Sequence, residues 1–483
     1  MQKIGILGFG VVGKSTLNFL KKIQSPLEQF DPKNIKISVF DQKDLTSSEI
    51  AEIESFGAEY FTSKDVSLFL QSNGYIIASP GVDLSAYNKF ANKFICELDL
   101  FAQVFNKKTV AITGTLGKTT VTNMIYKITS SFTDFAVNLG GNIGSGMLNL
   151  ALKNNDVDLA ILELSSFQLE PNTKFAPDLA LFTNFYPNHL DRHLTTKNYF
   201  DAKWKIFEHQ SSDQVSIIPL SLFNLYEDLP SKLATLKSQI CFISSNPISD
   251  EDKERIKKFG KMVFFAEKEN LYFGSFKAEN FVSFKIADLN NLPSSGFLEN
   301  WVLILTTFYL LAGNCNFLND EKWTEKLIST KFNPSVDAYR LEHFANFKGI
   351  DFYDDSKSTV IQATKAALDK LINNKRPVIL ILGGLDKGVD RSPFFKDLQN
   401  IPQENLKSIF CLGKDPQKFG GYKTFPTLQD LVDEIMKIAK SGDQVLFSPG
   451  GTSFDFFKNY KHRGDLFKEV VREYACKGES VKS

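Results

Sequence analysis

Cysteine is scarce in this 483-residue chain, at five residues: Cys96, Cys241, Cys315, Cys411 and Cys476. The number is odd, the spacing is scattered and no CxxC pair occurs. Neither a disulfide framework nor a zinc ribbon fits, and a reducing, cytoplasmic setting suits such thiols. Excess charge is lacking as well, since 56 Lys and Arg balance 56 Asp and Glu. Without a net positive field there is nothing to collect a phosphate backbone, which excludes a dedicated nucleic-acid binder. Long apolar runs are missing too. The richest, Trp301–Leu311, falls short of the roughly 20 residues a bilayer helix needs, so no membrane insertion is expected. The opening MQKIGILGFG is broken by glycines and leads into a helical pattern, unlike a signal peptide.

Aromatic residues are abundant, with 45 Phe, 14 Tyr and 3 Trp, too apolar a set for a disordered chain. The length suits about three domains. Short β-rich runs alternate with helical periodicity, the mark of parallel α/β units. A first unit spans residues 1–100, with strands at Lys3–Leu7, Ile35–Phe40 and Tyr75–Ala78. A second spans 101–334 and opens on strand Thr109–Thr113, followed by a helix with Val121, Met124, Ile125 and Ile128 on one face. Strands at Leu159–Leu162 and Leu179–Thr183 come next, whereas 211–295 shows no clean period and is polar at Asp250–Lys258. A third spans 335–483, with strands at Ile350–Tyr353, Val378–Leu382, Ile409–Leu412 and Val445–Phe447 and a helix at Leu428–Ala439. Lys477–Ser483 has the composition of a frayed polar tail.

Two glycine loops compete for a nucleotide. Gly8-Phe9-Gly10-Val11-Val12-Gly13-Lys14-Ser15 satisfies both the dinucleotide pattern, with Asp41 ending the next strand, and the GxxxxGKS phosphate-loop pattern. Gly114-Thr115-Leu116-Gly117-Lys118-Thr119-Thr120 fails the strict phosphate-loop pattern, because Ile112 stands at its first glycine. Chemistry nevertheless favours the second loop. A triphosphate brings Mg²⁺, which needs a loop hydroxyl and carboxylate or imidazole ligands nearby. Glu163, at the end of an apolar strand, and His189 with Asp191, just past another, lie where a parallel sheet presents its ligands. His189 and His193, four residues apart, also suggest zinc, but no cysteine, third histidine or HExxH glutamate is close in sequence.

Ten short motifs in one order carry a resemblance along nearly the whole chain. They are GFGVVGKS, SPG at Ser79–Gly81, ITGTLGKTT, GGNIG at Gly140–Gly144, ELSSFQLE at Glu163–Glu170, NHLDRH at Asn188–His193, AKWKIF at Ala202–Phe207, DSKST at Asp355–Thr359, GGLDKG at Gly383–Gly388 and SPGGTSFDFFKNYKHRG at Ser448–Gly464. With them the chain resembles the Mur ligase family, and DSKST with the closing motif points to its D-glutamate-adding branch. The sequence departs from the family pattern at Glu299, Leu303, Tyr339 and Val360.

The resemblance implies a Rossmann-like UDP-binding domain, a phosphate-loop central ATPase domain and a C-terminal Rossmann-like α/β domain. It implies ATP-dependent joining of D-glutamate to UDP-N-acetylmuramoyl-L-alanine through an acyl phosphate, in peptidoglycan precursor synthesis. Gly114, Thr115, Leu116, Gly117, Lys118, Thr119, Thr120, Asn300, Arg340 and Asp355 would contact ATP. Thr119, Glu163, His189 and a carbamoylated Lys203 would serve a pair of Mg²⁺ ions, with Lys205 close enough to compete for the lysine assignment. Val11, Val12, Asp41, Ser79, Pro80, Gly81 and Asn142 would bind the UDP-linked substrate. Lys357, Thr359, Lys387, Ser453, Phe454 and Tyr460 would receive D-glutamate, while Phe456 and Phe457 read as core. Lys118, Glu163, His189 and Lys203 form the catalytic set. A monomer is plausible. Competing readings are another amino-acid-adding Mur ligase, a folylpolyglutamate-type ligase, or a nucleotide-binding regulator whose chemistry has lapsed.

Overall fold

The computed structural model describes residues 2–260, 262–289, 292, 298–311 and 338–479. Its strands form three sheets. The first runs in the order Glu59–Phe61, Ile35–Phe40, Gln2–Leu7, Tyr75–Ala78 and Phe94–Ile95, all parallel. The central sheet runs Asn280–Asp288, Asn270–Lys277, Met262–Glu267, Gln239–Ser244, Val215–Pro219, Leu179–Phe182, Lys108–Thr113, Leu159–Glu163 and Val137–Gly141. The third runs Glu342–Phe347, Ile350–Asp354, Gln444–Phe447, Val378–Gly383, Leu406–Leu412 and Thr424–Phe425.

Parallel strands covered on both faces must be apolar throughout rather than alternating. Leu159–Glu163, Leu179–Phe182 and Val378–Gly383 are accordingly buried at every residue. The helix Lys118–Phe132 buries Val121, Met124, Ile125 and Ile128, the stripe expected from its period.

Of the stretch 211–295, the described residues up to 289 hold order that their composition hides. Val215–Pro219, Gln239–Ser244 and Met262–Glu267 extend the parallel sheet, and Asn270–Lys277 with Asn280–Asp288 close it as an antiparallel hairpin. The hairpin's outer strand is largely solvated, so Asn, Ser and Lys interrupt its apolar positions. The polar stretch is a helix, Asp250–Phe259, opened by a capping box between Ser249 and Asp252. The tail expectation also gives way in part, since the last helix, Tyr460–Glu479, runs into it.

The chain divides into two compact units: Met1–Phe185 with Lys197–Lys331, and Tyr186–Thr196 with Phe332–Ser483. Residue 100 lies inside the helix Glu97–Val104, whose Leu98, Leu100 and Phe101 join one core with residues of both the first and central sheets. The boundary near 335 lies outside the described residues. None of the described helices is long and apolar enough to cross a membrane.

That helix begins with a carboxyl held in apolar surroundings. Glu97 is buried, and neither of its carboxylate oxygens has a hydrogen-bond partner. Burial pushes it up from an ordinary 4.5 to about 8. The folded chain therefore keeps a proton that the unfolded chain has lost, so stability falls as pH rises from about 4.5 to 8. Glu97→Gln is expected to melt several degrees above the native chain at pH just over 8, with the gap shrinking in acid. Thermal melts of both proteins across that range check it.

Candidate active site

The first glycine loop is built for packing and for a small polar contact. Ser79 Oγ donates to the Gly8 carbonyl at 2.9 Å, and Asp41 Oδ2 accepts the Phe9 N–H at 2.7 Å. These bonds bring Asp41 and Ser79 to the loop that leads into the helix Val11–Lys22. Val11 stands there 76% exposed, and Gly81 follows at the surface. The residues that complete the phosphate-loop pattern are engaged elsewhere. Lys14 pairs with Glu52 at 3.2 Å and Glu49 at 3.6 Å. Ser15 is buried and accepts the Asn149 N–H at 3.2 Å, with Gly146 packed against it.

The second loop is anchored at its base by the strand beside it. Gly114 has φ +136°, and a Cβ there would stand 2.0 Å from Thr183 Oγ1, so only glycine fits. The Thr115 N–H donates to the Asn184 carbonyl at 2.9 Å, and the Leu116 N–H to Asn184 Oδ1 at 2.8 Å. Thr183 Oγ1 donates back to the Leu116 carbonyl at 2.6 Å. The sequence reading missed Thr183 and Asn184; a polar pair directly after an apolar strand was the available signal. Lys118 opens the following helix and folds back, its Nζ donating to the Gly114 and Thr115 carbonyls at 2.9 and 3.0 Å. Buried Asn300, on the helix Leu298–Leu311, stands against Gly117. Its neighbour Leu303 is core.

Lys203 reaches the same loop from the helix Thr196–Glu208. Only 1% exposed, it donates to the Gly114 carbonyl at 2.7 Å and lies 4.7 Å above the Tyr199 ring. Burial, reinforced by nearby Lys118 and opposed by Glu163, holds its ammonium well below the usual 10.5. Lys205 points elsewhere, to the Glu170 carbonyl. Glu163 ends the strand between Lys108–Thr113 and Val137–Gly141. Asn142 Nδ2 donates to its Oε1 at 2.8 Å, while its buried Oε2 has no hydrogen-bond partner. Asn142 thus attends the carboxylate through its side chain. The orphaned oxygen, with the hydroxyl of Thr119 on the same loop, suits a hard divalent cation that takes further oxygens from a triphosphate. Among the described residues no group of three or more His, Cys, Asp and Glu gathers as a metal cluster.

In the second unit three loops follow three adjacent parallel strands, Ile350–Asp354, Gln444–Phe447 and Val378–Gly383. Leu385 and Thr452 exchange backbone hydrogen bonds at 3.0 Å, and the Gly450 N–H donates to the Ser358 carbonyl at 3.0 Å. Thr359, Lys387, Ser453 and Phe454 are thereby collected at the carboxyl end of one sheet, where open α/β sheets bind ligands. Lys357 Nζ lies 5.6 Å from the Tyr460 ring centre. Ser453 is buried and Phe454 is 72% exposed. Phe457 packs on the core as expected, but Phe456 is an exposed side chain, contrary to its core reading, because its loop turns it outward.

Asp355 works beneath these loops. Its carboxylate accepts the Leu341 N–H at 3.0 Å and the hydroxyls of Ser448, at 2.6 Å, and Ser358. Burial pushes it up to about 6, against the pull of those hydrogen bonds and, more weakly, of Arg340. The segment Tyr186–Thr196 belongs to this unit as well. The Leu190 and Asp191 N–H groups donate to the Lys387 carbonyl at 3.1 and 3.2 Å. His189 precedes them in left-handed backbone with φ 54°. Lys118, Glu163 and Lys203 are thus gathered in one unit, and His189 with Lys387 in the other.

The family described as the Mur ligase middle domain matches residues 112–283. UDP-N-acetylmuramoylalanine–D-glutamate ligase of Caldicellulosiruptor bescii is 31% identical, over 99% of this chain and 99% of its own. The protein of the same name from Koribacter versatilis is 30% identical, over 98% of each. Among solved structures, a MurF ligase from Thermotoga maritima in complex with ADP matches with a TM-score of 0.52 at 14% identity, over 95% of this chain and 100% of that one. Escherichia coli FolC in complex with DHPP and ADP matches with a TM-score of 0.51 at 13% identity, over 82% of this chain and 99% of that one. At such identities the structural likeness concerns the fold.

Proposed function

The chain belongs to the Mur ligase family, and from that premise we propose that it joins D-glutamate to UDP-N-acetylmuramoyl-L-alanine with ATP, in the cytoplasm, for peptidoglycan precursor synthesis. Residues 1–100 would take the UDP-linked end, 101–334 ATP, and 335–483 the amino acid. The observation that carries the reading is the convergence of Lys118, Lys203 and the orphaned Glu163 oxygen on one strand-to-helix glycine loop.

In the first step a carboxylate oxygen of the UDP-linked substrate attacks the γ-phosphorus and ADP leaves. In the second, the amine of D-glutamate attacks the acyl phosphate carbonyl and phosphate leaves. Both steps concentrate negative charge on oxygen, so orientation and fixed positive ends carry the rate. The amides of Gly114–Thr120, at the start of a 15-residue helix, would face the phosphates. Lys118 would leave its loop carbonyls to follow the β- and γ-oxygens. Thr119 and Glu163 would hold Mg²⁺, and His189 a second ion; bound there, the metal neutralises phosphate charge and orients the oxygens. A carbamate on Lys203 would present an anion toward that cation. Asp41, Ser79 and the exposed edge at Val11 would meet the UDP end, with Val12, Pro80, Gly81 and Asn142 beside it. Lys357, Thr359, Lys387, Ser453, Phe454 and Tyr460 would receive D-glutamate, where lysine and hydroxyl groups match its two carboxylates. Arg340, Asp355 and Asn300 would border ATP.

D-Glutamate is expected to stimulate ADP release in the presence of UDP-N-acetylmuramoyl-L-alanine, whereas L-glutamate, L-lysine and diaminopimelate leave it at background. A coupled ADP assay over that panel tests the reading. Stimulation by L-lysine or diaminopimelate instead would assign the chain to another amino-acid-adding branch. Silence with every amino acid would favour a lapsed regulator.

A further inference from the structure

We propose that Arg463 is the positioning residue of the amino-acid cradle, locking two of its loops in register through their backbone carbonyls. Its Nη2 donates to the Ser356 carbonyl at 2.7 Å and its Nη1 to the Gly451 carbonyl at 3.0 Å. Ser356 lies in the loop that carries Lys357 and Thr359, and Gly451 in the loop that carries Ser453 and Phe454. The third loop joins through the Leu385–Thr452 exchange, so one guanidinium sits at the root of the whole cradle.

The setting is an expensive one for a cation. Arg463 is 1% exposed, its Nε–H has no hydrogen-bond partner, and burial lowers its guanidinium to about 10. It also lies in the first turn of the helix Tyr460–Glu479, where the macrodipole disfavours positive charge and the turn itself holds no acidic residue. Asp354, Asp355 and Asp455 favour its charge from a distance, but its hydrogen bonds run to carbonyls. An apolar side chain in its place would leave both buried carbonyls without this donor, so the group is tied to these two loops. What a fork of fixed N–H donors supplies is a defined distance between two acceptors on separate loops.

Gly464 shows how closely the helix start is docked. A Cβ there would stand 2.5 Å from Ser356 Oγ, 2.5 Å from a Tyr339 ring carbon and 2.6 Å from Asp354 Oδ2. The Arg463–Gly464 pair therefore sets the loop that begins the cradle, the guanidinium through backbone carbonyls and not through the side chains assigned to the ligand. The identity of that ligand rests on the ligase reading above; the loop-locking role does not.

The test compares the native enzyme with Arg463→Met, Arg463→Lys and Gly464→Ala. In ADP-release kinetics, Arg463→Met is expected to raise the KM for D-glutamate about tenfold or more, the scale of a small misplacement, while the KM values for ATP and the UDP-linked substrate stay within about twofold. Arg463→Lys, which keeps one carbonyl bond, falls between. Gly464→Ala, whose Cβ would press on Ser356, Tyr339 and Asp354, moves in the same direction, and Arg463→Lys carries the test if Arg463→Met does not fold. Hydrogen–deuterium exchange supplies a readout that needs no turnover: amides of 356–359 and 450–454 should exchange faster, with Val378–Leu382 unchanged. An unaltered D-glutamate KM, three KM values rising together, or unaltered exchange in both loops overturns the proposal. If the native enzyme responds to a different amino acid, the ligase reading falls, and the same kinetic comparison is made with that amino acid.

Discussion

Lys203→Ala is expected to leave the protein folded and nearly inactive, with turnover partly restored by acetate or formate. The expectation starts from the buried ε-amine. To form a carbamate, R–NH₂ adds to CO₂ and loses one proton, giving R–NH–COO⁻; an ammonium has no electron pair to offer. An exposed lysine is almost wholly ammonium at neutral pH. Lys203 is buried beside Lys118, and both effects favour the neutral amine the addition needs. A cation held at Glu163 would stabilise the anionic product. Removing the side chain takes away the oxygens but leaves Lys118 and the loop amides, so ATP binding should survive while turnover falls by about 10³ or more. Small carboxylates fit the vacated space and resupply the oxygens. Lys205→Ala, whose side chain meets the Glu170 carbonyl instead, should show neither loss nor rescue. Isotopically labelled bicarbonate gives a second readout, a carbamate signal in the native protein that Lys203→Ala lacks. A fully active Lys203→Ala enzyme would sink the carbamate and spare the ligase reading.

Lys118→Ala is expected to abolish ATP turnover, and Lys14→Ala to leave both nucleotide binding and turnover largely intact. Pattern matching alone predicts the reverse, because the first loop satisfies the GxxxxGKS pattern and the second does not. The two lysines differ in what surrounds them. Lys14 is 40% exposed and spans Glu49 and Glu52 on a neighbouring helix. Those solvated pairs are worth about 1 kcal/mol or less each, so the substitution should cost little stability. Lys118 is held against the backbone of the loop it would serve, with a buried carboxylate and a second buried lysine close by. Calorimetric ATP titration and ADP-release assays of both variants decide the matter. Lost ATP binding in Lys14→Ala with retained binding in Lys118→Ala would exchange the roles of the two loops.

Most of the parallel framework was legible because buried strands are continuous apolar runs and helix faces repeat every three or four residues. Leu159–Glu163, Val378–Gly383 and the stripe on Lys118–Phe132 show both signals. The hairpin from Asn270 to Asp288 was not, since an edge strand with one wet face carries no such run. The unit division was hidden for a related reason. Leu98, Leu100 and Phe101 are apolar on any reading, and nothing local says that their helix shares a core with two sheets.

At the site, residue identities were enough to nominate the second loop and Glu163, because phosphate and divalent metal chemistry demand particular side chains; Lys203 was nominated only by its place in the ordered motifs of the family resemblance, since a single lysine reads as a solvated surface charge. Burial and direction were a different matter, since both depend on residues distant in sequence. Lys203 and Lys205 are two positions apart on one helix and differ by about 200° around its axis. Only packing against the sheet determines which amine meets the Gly114 carbonyl and loses its water. The same holds for Ser15 and Lys14, formally phosphate-loop residues that neighbouring helices recruit for packing and ion pairing. It holds again for Arg463, whose cost and use arise from two carbonyls 12 and 107 residues away. Local sequence carries the chemistry a side chain is able to do; desolvation, which decides whether it does so, is a property of the folded neighbourhood.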